Sequence, residues 1–499
     1  MSWRQTIVRG VARVLGVRNE ASAFEAAGTG RRARSWVSST VGPNAGLLGS
    51  LALLRARSRA AVRNDGVASG IIADLVSDLI GTGVRPLSQA PDKAFQAEVQ
   101  RLWARWSHES DPEGLHSIYG QQALVVRAMA EGGDTFARFR PRRASDGLSV
   151  PLQLQILEAE VCPSAHTGMY GGHKIRGGIE FDPIGRRAAY YFYRQHPGEA
   201  LDLDTSRLLR VPADEVLHVY PVLRPGQIRG LPHLTQALVR LYELDQMDDA
   251  TLVRVKLANM FVGFYIPPPG DTGATTNPIT GETTITRDAN GMPELIFEPG
   301  TLQRTQSGAE LKFSEPPDAG DGYDDFMRRQ LRAAATAAGT SYEMLTGDMR
   351  DVNDRTVRVL VNKLRRRLGQ LMAHVVVDRF CQPTWEQWFD AALYSGALRP
   401  PAAYYDAPDL WRAVRWQGQR HEYLNPVQDV EATRTEVRSG LTSLSAEITA
   451  RGEDPDLVFE QLAADQRHLR ELGVVVESDA AVPLSKGLPD TAPAGDTRP

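Results

Sequence analysis

The residues best suited to chemistry lie in one stretch. Arg350, Asp351, Val352, Asn353, Asp354 and Arg355 form a short polar run, and Arg358, Lys363, Arg365, Arg366 and Arg367 follow it. Guanidinium and ammonium groups spaced in this way suit two tasks: contacting phosphates, or pairing with carboxylates on a neighbouring surface. The sequence leaves both open. Val357, Leu360, Val361, Leu364, Leu368, Leu371 and Val375 recur at helical spacing, so the basic residues ride largely on the other face of a helix expected from Arg355 to Phe380. Asp354 is placed to cap it.

Chemistry of other kinds is missing. There is no G-x-S-x-G, H-E-x-x-H, G-x-x-x-x-G-K-[ST] or C-x-x-C spacing. Asp248-Asp249 and Asp324-Asp325 are adjacent in sequence and so diverge on a helix instead of sharing a proton. His166 and His173 fall in a Gly-rich stretch that reads as a solvated loop, and His421-Glu422 has no partner at helical spacing. Cys162 and Cys381 read as two buried, reduced thiols. Arg224 and Arg229 flank glycines in RPGQIRGLPHL, which reads as a structural turn ahead of a phosphate loop. No enzyme, metal or cofactor is expected. The net charge of −4 excludes a chain that binds nucleic acid through overall basicity, so any such contact must be local. No apolar run approaches the roughly 18 residues of a membrane span, and the N-terminus makes a poor signal peptide.

The elements that must position the basic stretch come before it. Leu234, Leu238, Leu241, Leu244 and Met247 predict a helix over Leu234 to Met260, roughly 40 Å long at 1.5 Å per residue. A Pro/Gly-rich insert with strand signals runs from Phe261 to Pro317, and a second helix returns over Gly320 to Ala338. Thr340-Ser341-Tyr342-Glu343 spells a capping box for a short helix that Gly347 stops. Upstream, helices are expected over Leu47–Arg63, Ala68–Ile80, Ala94–Ser107 and Ser117–Glu131, with Trp103 and Trp106 in the core. Strands follow: TFARFRPR, VPLQLQILEAEVC, a hairpin turning at Asp182 to Gly185, and one further strand in RVPADEVLHVYPV. The class is α+β. Trp385 to Trp416 should pack back on this domain. Asn425-Pro426, Ser443 and Asp454-Pro455 start three small helices of a compact C-terminal module, and the tail from Ser485 reads as disordered.

Several blocks, in order, resemble the lambda family of tailed-phage portal proteins: RAAVRNDGVASGIIADLVSDLIGTGVRP, GGIEFDPIGRRAAYYFY, RVPADEVLHVYPVLRPGQIRGLPHLTQAL, TLVRVKLANMFVGFYI and NPVQDVEATRTEVRSGLTSLSAEITARGEDPDLVFEQLAAD. They span most of residues 50 to 475. The resemblance implies a portal fold that assembles as a ring of twelve at a capsid vertex of the virion, after assembly in the host cytoplasm. It implies an N-terminal arm (1–46), an α/β wing (47–233), a first stem helix (234–260), a β-rich clip (261–320), a second stem helix with a short helix (321–346), a tunnel loop (347–355), a long helix returning to the wing (356–424), a crown (425–475) and a disordered tail (476–499). Partners implied are double-stranded DNA in the channel, the terminase large subunit, the major capsid protein and head-completion or tail connector proteins. Arg350 to Arg355 would border the channel. Arg350 and Arg355 would touch phosphate or pair with a neighbour's Asp351 or Asp354, the pairing being preferred. The alternatives are another ring-forming head-tail connector, against which length argues, and an enzyme of unrecognised type.

Overall fold

The computed structural model describes residues 40–199, 208–260, 264–266, 275–276, 283–284, 310–312, 322–350, 352–419 and 425–473. Most of the expected arm, insert and tail lie outside the described residues.

Helix α1 (Pro43–Asn64) starts ahead of the expected Leu47, because Pro43 occupies the first turn, where its missing N–H costs nothing. Asp65 breaks the chain and caps α2 (Gly66–Leu79), accepting from the Val67 amide at 2.8 Å. Strand β1 (Arg85–Ser88) leads to α3 (Lys93–Trp106), and Ser117 caps α4 (Ile118–Gly132). Trp103 and Trp106 are core residues as expected. The Trp103 ring meets Trp388 edge-on at 4.9 Å and lies tilted at 5.2 Å from Trp385, while Trp106 Nε1 donates to the Leu152 carbonyl at 2.8 Å. Burying an aromatic side chain contributes roughly 1.5–3 kcal/mol, so this cluster is the main clamp between the early and late chain.

Two antiparallel sheets follow. The first has the order β3-β2-β9, from β2 (Thr135–Pro141), β3 (Leu152–Glu158) and β9 (Val216–Val219). The second is a meander of β4 (Gly168–Tyr170), β5 (His173–Arg176), β6 (Ile179–Phe181), β7 (Arg187–Phe192) and β8 (Leu209–Pro212). The expected single strand in RVPADEVLHVYPV is two, β8 and β9, in different sheets. Pro212, which lacks an amide donor, ends β8, and a 3-10 turn, Ala213–Glu215, carries the chain across. The β6–β7 hairpin turns at Asp182 to Gly185 as predicted. The Asp182 carboxylate accepts from the Arg186 amide at 2.7 Å, and Gly185 takes φ +87°, which favours glycine.

His166 lies in the expected loop but is half-buried, and His173 is a strand residue. His173 lies in β5, and its Nδ1 is 2.7 Å from Glu180, whose buried carboxylate also receives Tyr191 and a bidentate Arg210. These donors hold the Glu180 carboxyl down at about 2, Arg210 contributing most. His166 packs on the Tyr191 ring at 4.8 Å. Cys162 and Cys381 are buried free thiols.

A 3-10 turn, His233–Gln236, opens the outgoing helix, so the α-helix proper, α5, runs Leu238–Met260. Short strands β10 (Phe264–Ile266) and β13 (Glu310–Lys312) pair antiparallel across the insert, as do β11 (Thr275–Thr276) and β12 (Thr283–Thr284). Helix α6 (Tyr323–Ala338) returns beside α5. Arg240 bonds Gln330 and Tyr323 bonds Asp248, which ties the antiparallel pair at two levels.

Two short-range expectations change here. Ser341, not Thr340, caps α7 (Tyr342–Thr346), accepting from the Met344 amide, so Glu343 is one position too early to close a capping box. Asn353, not Asp354, caps α8 (Asp354–Leu371). The long helix does not stop at Phe380. It passes through a π-helical stretch, Met372–Cys381, into α9 (Gln382–Tyr394). The wide turns, with the Gln382 amide bonded to the Val377 carbonyl five residues back, make room for Pro383, which would break a regular α-helix.

Helix α10 (Pro408–Arg412) and β14 (Val414–Gln417) bring the aromatic stretch back, and β14 pairs with β1. The last helices, α11 (Pro426–Arg438), α12 (Leu444–Ala450) and α13 (Pro455–Glu471), start at the expected caps. They are not a compact module with its own core: only Ile448 and Thr449 are buried, while Val427, Leu441, Leu457 and Leu472 are exposed. Gln417 holds them to the body by donating to the Thr449 and Glu453 carbonyls, and Lys93 pairs with Asp456. No helix of the described residues is long and apolar enough to cross a membrane.

Candidate functional site

The polar stretch begins after two left-handed glycines that each end a helix. Gly339 closes α6 at φ +81° and Gly347 closes α7 at φ +70°. Asp348 follows and becomes a hub. Arg350 Nε and Nη2 each donate to it at 2.8 Å, the Tyr342 hydroxyl donates at 3.0 Å, and Arg328 Nη2 of α6 lies at 3.1 Å. The Arg350 hydrogen bonds hold the Asp348 carboxyl well below the usual carboxylate range, and the same contact raises Arg350. Within its own chain Arg350 thus pairs with Asp348. At the far end, Asn353 Oδ1 accepts from the Thr356 amide and hydroxyl, both at 2.9 Å. Val352 is half-buried, and Asn353 and Arg355 are exposed. Asp351 and the side chain of Asp354 lie outside the described residues.

Along α8 the apolar stripe turns inward, with Leu368 and, in the π stretch, Val375 buried against the tryptophan core. Lys363, Arg366 and Arg367 are exposed, and Arg358 and Arg365 are half-buried. Arg367 packs over Gly339 so closely that a Cβ there would collide with its guanidinium. The cation therefore sits at the C-terminus of α6, where the helix dipole favours it. His233 secures the same helix end, its Nε2 donating to the Ala338 carbonyl at 2.7 Å. Residues 348–355 are thus mounted on the joint where α5 leaves the body, α6 returns and α8 begins.

Arg229, in the loop before α5, is structural. Its side chain has no solvent exposure. Nε meets Asp134 at 2.5 Å, Nη1 donates to the Gly177 and Cys162 carbonyls, and Nη2 donates to Ala159. A phosphate cannot reach it, whereas Arg224 is exposed. The described residues that could gather a metal are Glu158, Glu160 and His196. Arg59 already lies among them, 2.8 Å from Glu158 and 2.9 Å from Glu160, supplying the positive charge that a metal would.

Sequence reasoning found the polar stretch and the basic helix face but missed Asp348, Arg328 and Tyr342. Their signal was weak: Asp348 directly follows the helix-stopping Gly347, where an aspartate that folds back on nearby amides is common.

The chain matches the family model described as "Phage portal protein, lambda family" over residues 29–371. It is 24% identical over 443 residues to the probable portal protein of Halomonas phage phiHAP-1, covering 84% of this chain and 81% of that one. It is 21% identical over 501 residues to portal protein B of Escherichia phage lambda, covering 92% of each. Among solved structures, the neck of the native GTA particle computed with C12 symmetry is similar at a TM-score of 0.44 and 15% identity, covering 86% of this chain and 99% of that one.

Proposed function

The chain belongs to the lambda family of phage portal proteins, and from that premise we propose that it forms a twelve-subunit ring at a capsid vertex of the virion, assembled in the host cytoplasm. The ring is a conduit for double-stranded DNA during packaging and ejection. Residues 47–233 serve as the wing, 234–260 and 321–346 as the stem, 261–320 as the clip, 347–355 as the tunnel loop, 356–424 as the long helix and return to the wing, and 425–475 as the crown. The clip faces the terminase large subunit and later the head-completion or tail connector proteins, and the outer surface meets the major capsid protein. No ATP-binding loop is present in the sequence, so the energy for moving DNA comes from the partner ATPase.

One observation carries this reading: α5 is buried only at its root. Leu234, Leu238, Leu241 and Leu244 are buried, but from Asp245 to Lys256 each residue is exposed or half-buried, Leu252 and Val253 among the exposed. A helix pair that leaves the body with apolar residues uncovered supports a wall completed by neighbouring copies. The exposed apolar residues of α11 and α13 support the same reading for the crown. Deletion of residues 349–354 tests the loop assignment. Rings should still form, while DNA packaging or retention falls; normal packaged DNA content in that variant would refute it.

A further inference from the structure

Asp348 receives two arginines from different parts of the chain. Arg328 comes from α6, and Arg350 comes from two residues further on, with 65% of its side chain exposed. A guanidinium that open, if left without a counter-charge, would bind any phosphate passing it. Here it is engaged through two parallel hydrogen bonds, a geometry that a planar guanidinium and a carboxylate share. Tyr342 holds the carboxylate from the helix side at 3.0 Å, so the acceptor stays in place while Arg350 closes on it.

We propose that Asp348 is a charge mask, which neutralises Arg350 so that the loop can stand beside duplex DNA without gripping it. This rests on the conduit reading given above. The reason is one of multiplicity. Each arginine that settles on a phosphate adds about 0.9 to the slope of log affinity against log salt. A ring repeats every loop residue once per subunit, so a modest attraction at one loop becomes a clamp when summed around the channel. A conduit must hold that sum low. Asp348 does so in a way that sequence charge counting misses, because the counter-charge lies outside the run Arg350 to Arg355. Arg328 has a second carboxylate, Asp324, at 3.2 Å, and so remains paired if Asp348 is lost. Among the described residues Asp348 is the carboxylate that pairs with Arg350, and the effect of removing the mask falls on that arginine.

The test is a four-membered cycle on purified rings: wild type, Asp348→Asn, Arg350→Gln and the double variant. Electron microscopy first scores ring formation. Binding of a short, fluorescently labelled linear DNA duplex is then followed by anisotropy over a series of salt concentrations. Asp348→Asn is expected to tighten low-salt binding and to steepen the salt slope by about 0.9 for each arginine that reaches a phosphate. Arg350→Gln alone should not tighten binding, because it removes an already masked cation and leaves the Asp348 carboxylate in place. The double variant should return to the wild-type slope. Asp348→Asn rings with an unchanged slope would overturn the mask alone. So would a double variant as tight as Asp348→Asn, since the gain would then come from loss of a repelling carboxylate. Tighter binding by Arg350→Gln in the wild-type background would also overturn it. Absence of rings from the wild-type protein would overturn the conduit reading, and the mask with it.

Discussion

The Arg229 guanidinium and the Asp134 carboxylate meet with neither side chain exposed, Nε to Oδ2 at 2.5 Å. Asp134 stands at the start of β2 and Arg229 in the loop that launches α5, so the pair fixes the root of the projecting helix to the sheet. Arg55 of α1 joins from the other side through Asp134 Oδ1. Burial alone would raise the Asp134 carboxyl, but the two arginines hold it well below its ordinary value.

Removing one partner of a buried pair costs more than the pair contributes, because the other charge is left without compensation. Arg229→Met is expected to destabilise the protein by about 3–5 kcal/mol, read from the denaturant midpoint. The carbonyls of Cys162, Gly177 and Ala159 lose their donor as well. Arg224→Ala, at an exposed position in the same loop, should change stability by less than about 0.5 kcal/mol.

Stability should fall in mild acid through His218. Its Nε2 lies 3.1 Å from Asp134, and burial pushes the imidazole down to about 3, against the pull of that carboxylate. An unfolded histidine titrates near 6.5. Between those values the unfolded chain binds a proton that the folded chain refuses, so this contribution is complete above about pH 6.5 and is lost as pH falls toward about 3. The loss is about 1.4 kcal/mol per pH unit at most. His218→Gln keeps a donor for Asp134 without a titrating ring. It should flatten the denaturant midpoint against pH between about 4 and 6.5.

Gly339 and Gly347 separate backbone strain from collision. Both have positive φ, but a Cβ at 347 meets nothing within 4 Å, whereas one at 339 strikes Arg367. Gly347→Ala should cost about 1–2 kcal/mol. Gly339→Ala should cost about 1–3 kcal/mol and should be partly relieved by Arg367→Ala, a coupling that thermal unfolding of the double variant would reveal.

What the sequence made legible were features set by local rules. Caps at Asn425 and Asp454, the Asp182–Gly185 turn and the inward Trp103 and Trp106 each follow from a few neighbouring residues. Features set by distant partners were not legible. The continuation past Phe380 depends on π-helical turns that make room for Pro383. The burial of Arg229 depends on Asp134, and the approach of Arg328 to Asp348 depends on the return of α6. Charge counting along the chain did not show that the Arg350 and Asp348 side chains meet. The C-terminal helices were expected, from the residues that start them, as a compact module. Their apolar faces are real, but in one chain they cover almost nothing.

The central claim is that these uncovered faces belong to a ring. Electron microscopy of the purified full-length protein tests it most directly. The account predicts closed rings with a central hole, of one subunit number in assembled heads. A protein that stays monomeric at high concentration, and is monomeric in assembled heads, would contradict it.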